Sequence, residues 1–293
     1  MHRTVRPRRS ALYLPASNAR ALEKARSLDA DVVLVDLEDA VAPAAKAEAR
    51  RQAVAALEAG GFGQREVVVR VNGAGTPWAA EDLAALGRAA TRPDAVLLPK
   101  VESPDEVVAA AAALDAAGAP ADLPLWAMIE TPRGVLRAAE IAAAPRLACL
   151  VAGTSDLVKD LGARHTPGRP EVLTALAWIV LAARAHDLAC LDGVHLDLDD
   201  EAGLEAACRQ GRDLGFDGKT LIHPRTIAVA NRAFGPSEAE LDQARKILVA
   251  HAEAETFGRG VVVVDGRLVE ALHVEAARRR LALAEAIATR GSS

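Results

Sequence analysis

Short runs of Val, Leu and Ile alternate with longer alanine-rich amphipathic segments along most of the chain. Runs of this length are typical of buried strands, and the segments between them have the length of helices. The pattern predicts eight strands, at 11–14, 31–36, 66–71, 95–99, 125–130, 147–152, 189–194 and 219–222. Regular alternation of strands and helices indicates a parallel sheet in an α/β protein.

The number of strand–helix units distinguishes between two α/β folds. Eight strand–helix units match a (β/α)₈ TIM barrel, which typically needs about 250 residues. A doubly wound open sheet is the alternative, but no G-x-G-x-x-G follows the first strand and the strands number eight. We therefore predict a TIM barrel over residues 1–235, which would be the catalytic domain.

The pattern changes after the eighth unit. A predicted helix over 237–257 begins at Ser237, and two short apolar runs then flank the pair Asp265-Gly266. Asp-Gly favours the type I′ turn of a β-hairpin. A final helix over 271–288 completes a C-terminal helix–hairpin–helix extension, residues 236–293. We expect this extension to cover the active site or to reach a neighbouring subunit.

Composition narrows the class of protein. The formal net charge is −5, and no basic face of the kind that binds nucleic acid is evident. The longest apolar stretch, 175–183, is about half of what a membrane span requires. Three cysteines without metal-ligand spacing fit the cytoplasm. The arginines at 3, 6, 8 and 9 are interpreted as a solvated tail, because no apolar segment follows them as in a signal peptide.

Charged and polar residues are concentrated where the predicted strands end. In a TIM barrel the carboxyl ends of the strands converge on one mouth, where the chemistry takes place. The residues at these positions are Asp36, Glu38, Asp39, Arg70, Asn72, Lys100, Glu102, Glu130, Asp156, Asp192, His195 and His223. His223 is a candidate base, although histidines at strand ends also serve structural purposes.

Glu130 and Asp156 are the candidate metal ligands. They are one strand–helix unit apart in the sequence, so they end adjacent strands, and neighbouring carboxylates repel each other unless a proton or a cation intervenes. Mg²⁺ suits such a pair, with Mn²⁺ as a second candidate, and the lack of nearby His or Cys argues against zinc. The alternative is that both are ordinary loop acids paired with Arg133 and Lys159.

Arg70 lies inside the otherwise apolar run VVVRVN. A buried arginine requires an anionic partner, and its planar guanidinium matches a substrate carboxylate or a thioester oxygen. The alternative is an ion pair with Glu38 or Asp39 on the neighbouring strand. We expect Glu38 and Asp39 to assist catalysis by holding Arg70 or waters on the metal.

With these residues in place, the sequence resembles the citrate lyase β-subunit-like group of the HpcH/HpaI aldolase–citrate lyase superfamily, which includes malyl-CoA and citramalyl-CoA lyases. The resemblance covers almost the whole chain. It is carried by the order and spacing of RSALYLPASNARALEKA (9–25), DLEDAVAPAAKAEAR (36–50), VRVNGAGT (69–76), LLPKVES (97–103), IETPRG (129–134), GTSDLVKDLG (153–162), FDGKTLIHP (216–224) and DGRLVE (265–270).

The resemblance implies a homotrimer or trimer-based assembly and a substrate attached to CoA or an acyl carrier. It implies that Glu130 and Asp156 hold Mg²⁺ and that Arg70, with Glu130, binds substrate. Arg20 and Lys24 are implied contacts for the CoA phosphates.

The resemblance also implies a catalytic acid in the C-terminal hairpin that reaches the next subunit. The family usually has Asp in this position, whereas this chain has Glu270, with one more methylene. Glu270 is our candidate for the general base.

The predicted reaction is Mg²⁺-dependent cleavage or formation of the carbon–carbon bond in a β-hydroxyacyl-CoA of the malyl, citramalyl or citryl type. Mg²⁺ would act as a Lewis acid on the oxo acid, and Arg70 would stabilise anionic oxygens. The alternatives are a pyruvate-dependent class II aldolase acting on free hydroxy-keto acids, a malyl-CoA thioesterase or malate synthase-like enzyme, and a carrier-dependent lyase subunit that is inactive alone.

Overall fold

Eight parallel strands close into a barrel in the computed structural model, which describes residues 5–256 and 262–291. Each strand pairs with the next in sequence, and the eighth pairs with the first. The strands are β1 Ser10–Pro15, β2 Val32–Asp36, β3 Glu66–Arg70, β4 Ala95–Leu98, β5 Leu125–Ile129, β6 Leu147–Ala152, β7 Ala189–Asp192 and β8 Gly218–Leu221. The predicted TIM barrel is therefore confirmed.

Helices follow the strands and surround the barrel. They are α1 Ala19–Ala25, α2 Lys46–Ala59, α3 Ala79–Arg88, α4 Pro104–Ala116, α5 Pro132–Leu136, α6 Ala138–Ala142, α7 Thr154–Asp160, α8 Pro170–Ala185, α9 Glu201–Leu214 and α10 Ile227–Phe234, with single 3₁₀ turns at Pro43–Ala45 and Pro224–Thr226. None of the helices in the described residues is long and apolar enough to cross a membrane.

Two hydrophobic layers divide the side chains of each strand. One layer fills the barrel with residues such as Leu34, Val68 and Met128, and the other lies between the barrel wall and the helices. Side chains alternate between the two faces of a strand, so the residue two positions later also points into the barrel. For these three residues, that position is the last residue of the strand or the first residue after it. Those positions are Asp36, Arg70 and Glu130. Strand periodicity thus delivers three charged side chains to the same end of the barrel.

The other end of the barrel is closed by residues that we expected to be solvated. Arg8 donates two hydrogen bonds to Glu66, at 2.6 and 2.7 Å, and its guanidinium carbon lies 5.1 Å from the centroid of the Trp126 ring. Arg9 forms a buried bidentate pair with Asp31 at 2.8 and 2.9 Å. The predicted tail is therefore wrong for Arg8 and Arg9, because acids at the start of β2 and β3 use them as partners.

Residues 8–234 form one compact unit, and residues 235–293 with 1–7 form a second. The second unit contains α11 Glu238–Thr256, the antiparallel strands β9 Val262–Val264 and β10 Arg267–Val269, and α12 Ala271–Gly291. Both central residues of the hairpin have positive φ, +47° at Asp265 and +77° at Gly266, as a type I′ turn requires. The predicted helix–hairpin–helix is confirmed, while its residues 257 and 261 lie outside the described residues.

The second unit has its own hydrophobic core and a capped first helix. Its buried residues are Ala244, Ile247, Val264, Val269, Val274 and Ala277. At the start of α11, the N–H of Ser237 donates to the Glu240 carboxylate at 2.8 Å, and the N–H of Glu240 donates to the Ser237 hydroxyl at 3.3 Å. This reciprocal arrangement is a capping box, which explains why the helix begins where Ser237 predicted.

Candidate active site at the barrel mouth

Asp36 and Arg70 form the base of the mouth. They are register partners at the ends of β2 and β3, and the guanidinium donates to both carboxylate oxygens at 2.7 Å. The same carboxylate accepts the backbone N–H groups of Glu38 and Ala40, at 2.9 and 3.0 Å. Asp36 therefore fixes both the guanidinium and the loop that follows β2. Sequence analysis placed Asp36 at a strand end but assigned it no role.

Glu38 and Asp39 lie on that loop, beside the same guanidinium. Nη1 of Arg70 is 2.8 Å from Oε2 of Glu38 and 3.5 Å from Oδ2 of Asp39. The first contact is a close ion pair without the alignment of a hydrogen bond. The ammonium of Lys46 donates to the carbonyls of Leu37 and Glu38, at 2.8 and 2.6 Å, and so holds the loop. Burial raises the pKa of Glu38 against the opposing charge of Arg70.

Tyr13 supports Arg70 from the barrel interior. The guanidinium carbon lies 4.8 Å from the centroid of the Tyr13 ring, within the range of a cation–π contact. The Tyr13 hydroxyl is buried and has no hydrogen-bond partner among the described residues. Burial raises the pKa of Tyr13, so the phenol stays protonated. Sequence analysis did not select Tyr13, since an aromatic residue in an apolar strand is usually part of a core.

Glu130 projects into the mouth directly after β5. Its Oε1 accepts the N–H of Lys100 at 2.8 Å, and its Oε2 accepts no hydrogen bond from the described part of the chain. A Cβ at Gly153 would lie 2.4 Å from Cβ and 2.6 Å from Oε2 of Glu130, so only glycine leaves room for this carboxylate. Burial, opposed in part by Lys100, raises the pKa of Glu130 to about 8.

Asp156 lies in the first turn of α7, three residues after Gly153. Its side chain is 26% exposed, and its Oδ2 is 3.5 Å from Nζ of Lys100. The predicted alternative partners are weak or absent: Lys159 is 4.0 Å from Asp156, and Arg133 pairs with Glu102 at 3.4 Å. Lys100 is therefore a neighbour of both acids, through its backbone N–H for Glu130 and its ammonium for Asp156.

Lys100 connects the two sides of the mouth. Its Nζ lies 2.5 Å from Oε1 of Glu38, 3.7 Å from Oδ1 of Asp39 and 3.5 Å from Oδ2 of Asp156. Burial disfavours the ammonium, but the hydrogen bond and charge of Glu38 outweigh it and raise the pKa of Lys100. Its backbone φ is +53°, a left-handed conformation that is uncommon for a residue with a side chain.

The donor set fits a hard divalent cation. Four carboxylates, those of Asp36, Glu38, Asp39 and Asp156, pair with Arg70 or Lys100, and Glu130 accepts the backbone N–H of Lys100. An oxygen of Glu130 without a donor and the partly exposed Asp156 are both hard ligands. Within the described residues no cluster of three or more metal-ligating side chains occurs, but Mg²⁺ needs only one or two carboxylates with waters and substrate oxygens.

Among the described residues of the barrel unit, Arg20, Lys24 and His223 form no ion pair or side-chain hydrogen bond with this group. Arg20 and Lys24 are exposed and four residues apart on α1. Glu270 is exposed in the second unit, where its backbone N–H donates to Nδ1 of His273 at 3.0 Å. Nδ1 of His223 accepts the N–H of Arg225 at 3.2 Å, which supports the structural alternative for that histidine.

Comparisons with known proteins support an enzyme of one broad family. The model of the family HpcH/HpaI aldolase/citrate lyase matches residues 9–224. A (3S)-malyl-CoA thioesterase of Cereibacter sphaeroides is 52% identical over 96% of each chain. An L-malyl-CoA/beta-methylmalyl-CoA lyase of the same species is 34% identical, also over 96% of each chain.

One similar protein has a crystal structure with bound ligands. The protein CitE of Mycobacterium tuberculosis, in complex with magnesium, acetoacetate and coenzyme A, is 35% identical. The match has a TM-score of 0.77 and covers 94% of this chain and 97% of that protein. The barrel and the second unit are thus both within the range of the likeness.

Proposed function

Because this chain belongs to the HpcH/HpaI aldolase/citrate lyase family, we propose that it is a Mg²⁺-dependent enzyme acting on a CoA thioester of the malyl type, and that its main reaction is hydrolysis of the thioester. One observation carries the choice of reaction. Over the same share of the chain, identity is 52% with the malyl-CoA thioesterase and 34% with the malyl-CoA lyase.

In this proposal Glu130 and Asp156 hold Mg²⁺. The ion, when bound, supplies a Lewis acid that polarises substrate oxygens. Glu130 suits this role because its Oε2 accepts no hydrogen bond from the described residues and Gly153 leaves it space. Asp156 suits it because its carboxylate is partly exposed on the same side of the mouth.

Arg70 binds and stabilises the substrate's anionic oxygens. Asp36 holds two of its nitrogens and the Tyr13 ring lies against its plane, so the guanidinium is oriented before substrate arrives. Such preorganised donors contribute most where negative charge develops in the transition state. Glu38 and Asp39 limit the movement of Nη1.

Hydrolysis adds water to the thioester carbonyl carbon, breaks the carbon–sulfur bond and releases a carboxylic acid and the CoA thiol. The attacking water loses a proton to a base, and the departing sulfur gains one. We assign the base to Glu270 of a neighbouring subunit, as the family resemblance implies, and the contacts to CoA phosphates to Arg20 and Lys24. This assignment requires an oligomer, which the family resemblance implies is a trimer or trimer-based assembly. A cytoplasmic enzyme is in keeping with the three cysteines, which are buried and free.

Carbon–carbon cleavage to acetyl-CoA and glyoxylate is the second candidate. One Mg²⁺ held by two carboxylates beside an oriented arginine would also suit the enolate that a lyase forms. The 34% identical lyase supports this second candidate. The name of the matching family includes aldolases, but none of the individual relatives named above is an aldolase.

Product analysis separates these reactions. Purified protein with (3S)-malyl-CoA and Mg²⁺ should release one thiol and one malate for each thioester consumed. A thiol reagent measures the first product and mass spectrometry identifies the second. Formation of acetyl-CoA and glyoxylate at the rate of substrate loss would overturn hydrolysis in favour of the lyase. Turnover of free hydroxy-keto acids but of no CoA thioester would overturn both.

A further inference from the structure

Lys100 joins carboxylates that belong to different parts of the mouth. Its ammonium is hydrogen-bonded to Glu38, on the loop after β2, and lies 3.5 Å from Asp156, on α7 after β6. Its backbone N–H meanwhile holds Glu130. Lys100 therefore contacts both proposed metal ligands, Glu130 and Asp156, and also Glu38 on the opposite side of the mouth.

We propose that the Lys100 ammonium stands in for the divalent ion among these carboxylates while the metal is absent, and that it competes with the ion for Asp156. The inference rests on the proposed function, since that function assigns the metal to Glu130 and Asp156. It adds a role for Lys100, which sequence analysis placed at a strand end without assigning it a function.

The chemistry of lysine suits a stand-in cation. An ammonium is a compact point charge with a preference for hard oxygens, carried on a flexible four-carbon stem. The Lys100 side chain is 41% exposed, which leaves it a path toward solvent when an ion binds. Arg70 cannot serve in this way, because it is buried and its guanidinium is fixed by Asp36.

The backbone of Lys100 shows that this position is imposed by its surroundings. A left-handed φ for a residue with a side chain costs on the order of 1 kcal/mol or more. The same conformation accompanies the 2.8 Å bond from the Lys100 N–H to Glu130 and the contacts of Nζ with Glu38 and Asp156. Strain of this kind tends to persist at functional sites, where several contacts determine it together.

Removal of the ammonium should therefore strengthen metal binding. Loss of one positive charge a few ångströms from a divalent ion, in a mouth open to water, changes affinity on the order of tenfold. We expect Lys100→Met to bind Mn²⁺ about tenfold more tightly than the parent protein in a titration of free Mn²⁺ by electron paramagnetic resonance. The metal-free variant should melt at a lower temperature, and Mg²⁺ should raise its Tm by more than it raises that of the parent.

Matched variants isolate the charge of Lys100. Lys159→Met removes an ammonium that is 76% exposed and 4.0 Å from Asp156, so it should leave the Mn²⁺ affinity within about twofold. Lys100→Arg keeps the charge and should stay close to the parent. Lys100→Asn provides a second neutral variant if Lys100→Met fails to fold, because Asn tolerates a left-handed backbone.

Glu130→Gln distinguishes failure of this inference from failure of the metal assignment. If Glu130→Gln abolishes Mn²⁺ binding while Lys100→Met binds as the parent does or more weakly, the competing role of Lys100 is wrong and the metal site stands. If Mn²⁺ binding is unaffected by Glu130→Gln, the metal assignment falls and this inference falls with it. Tighter binding by both neutral Lys100 variants, with Lys159→Met unchanged, supports the proposal.

Discussion

Two groups of buried charged side chains in the barrel are built in opposite ways. One is the mouth described above. The other lies between the barrel wall and the helices, where Asp192 of β7 meets Lys219 of β8 and Arg169. Nζ of Lys219 is 2.7 Å from Oδ2 of Asp192, and Nη1 of Arg169 is 2.9 Å from both carboxylate oxygens. The side chains of Asp192 and Lys219 have no exposed surface.

Every charged side chain of the wall group has a partner of opposite charge. One carboxylate has two cationic partners and also accepts the N–H of Gly193 at 2.8 Å. Burial disfavours the ionised form, but Lys219 and Arg169 outweigh it and lower the pKa of Asp192. Because each charge has a partner and the side chains of Asp192 and Lys219 are fully buried, we interpret this group as structural.

The mouth, by contrast, contains charged and polar groups that lack partners among the described residues. Its carboxylates outnumber their cationic partners, Oε2 of Glu130 accepts no hydrogen bond from the described residues, and the Tyr13 hydroxyl is buried without a partner. Burial raises the pKa of Glu130 where ion pairs lower that of Asp192. Buried polar groups without partners are uncommon in folded proteins, and perturbed acids concentrate at functional sites. The comparison supports our proposal that the mouth binds ligand and that the wall group stabilises the fold.

Substitution of either proposed metal ligand should have the largest effect on turnover. Glu130→Gln or Asp156→Asn should lower Mg²⁺-dependent turnover on the order of 10³-fold or more, because the ion supplies several kcal/mol of transition-state stabilisation. The melting temperature of the metal-free protein should not fall. Steady-state assays with (3S)-malyl-CoA and thermal melts measure both. Glu102→Gln is the matched control, since this acid pairs with Arg133 and should keep parental turnover.

The wall group should respond in the reverse manner. Asp192→Asn leaves Lys219 and Arg169 buried without a counter-charge, which should reduce the free energy of unfolding by about 3–5 kcal/mol. Turnover per folded molecule should stay near that of the parent. Urea denaturation measures the first quantity and an assay normalised to folded protein the second. A stable Asp192→Asn protein with lost activity would remove the distinction between the two groups.

The opposite pKa shifts predict opposite responses to pH. Folded Glu130 retains its proton up to about pH 8, whereas the unfolded group loses it near 4.5. Because the folded state binds more protons in this window, the metal-free protein should lose stability as pH rises from about 4.5 to about 8, by up to a few kcal/mol. Asp192 has a lowered pKa, so its contribution should be present above its unfolded value and lost only as pH falls through the lower folded value.

Glu130→Gln provides the check on this pH dependence. Glutamine has no proton to lose, so the loss of stability between about pH 4.5 and 8 should be smaller in the variant. Urea unfolding of both metal-free proteins across this range is the measurement. Parallel stability curves for parent and variant would show that Glu130 does not carry the effect.

Two glycines offer a smaller and closely matched test. A Cβ at Gly153 would lie 2.6 Å from Oε2 of Glu130, and a Cβ at Gly211 would lie 2.8 Å from Oδ2 of Asp192. Gly153→Ala should displace Glu130 and weaken Mn²⁺ binding by about 10- to 100-fold. Gly211→Ala should leave Mn²⁺ binding unchanged and destabilise the fold by about 1–3 kcal/mol. Equal effects of the two variants on metal affinity would contradict the separation.

The sequence predicted the barrel and most of the mouth because both depend on periodicity. Strand β6 occupies Leu147–Ala152 as predicted, and the strand-end rule selected Glu38, Asp39, Arg70, Glu130 and Asp156, which the structure brings to one mouth. The rule did not separate Asp192 from them, because alternation by one residue along β7 turns that side chain outward, toward Arg169 and Lys219.

Contacts between distant residues could not be read from the sequence. The left-handed backbone of Lys100 follows from contacts with three other segments, and lysine itself does not favour it. Arg70 uses Asp36 as its bidentate partner, a choice that depends on the register of β2 and β3. Arg8 and Arg9 resemble a basic tail until Glu66 and Asp31 are placed beside them.

A crystal structure of the protein grown with Mn²⁺, with data collected for the anomalous signal of the metal, tests the central claim most directly. The account predicts one strong peak in the barrel mouth, with carboxylate oxygens of both Glu130 and Asp156 in its coordination sphere and the Arg70 guanidinium facing the same space. A peak bound to other residues, or two carboxylates that do not share one ion, would contradict it.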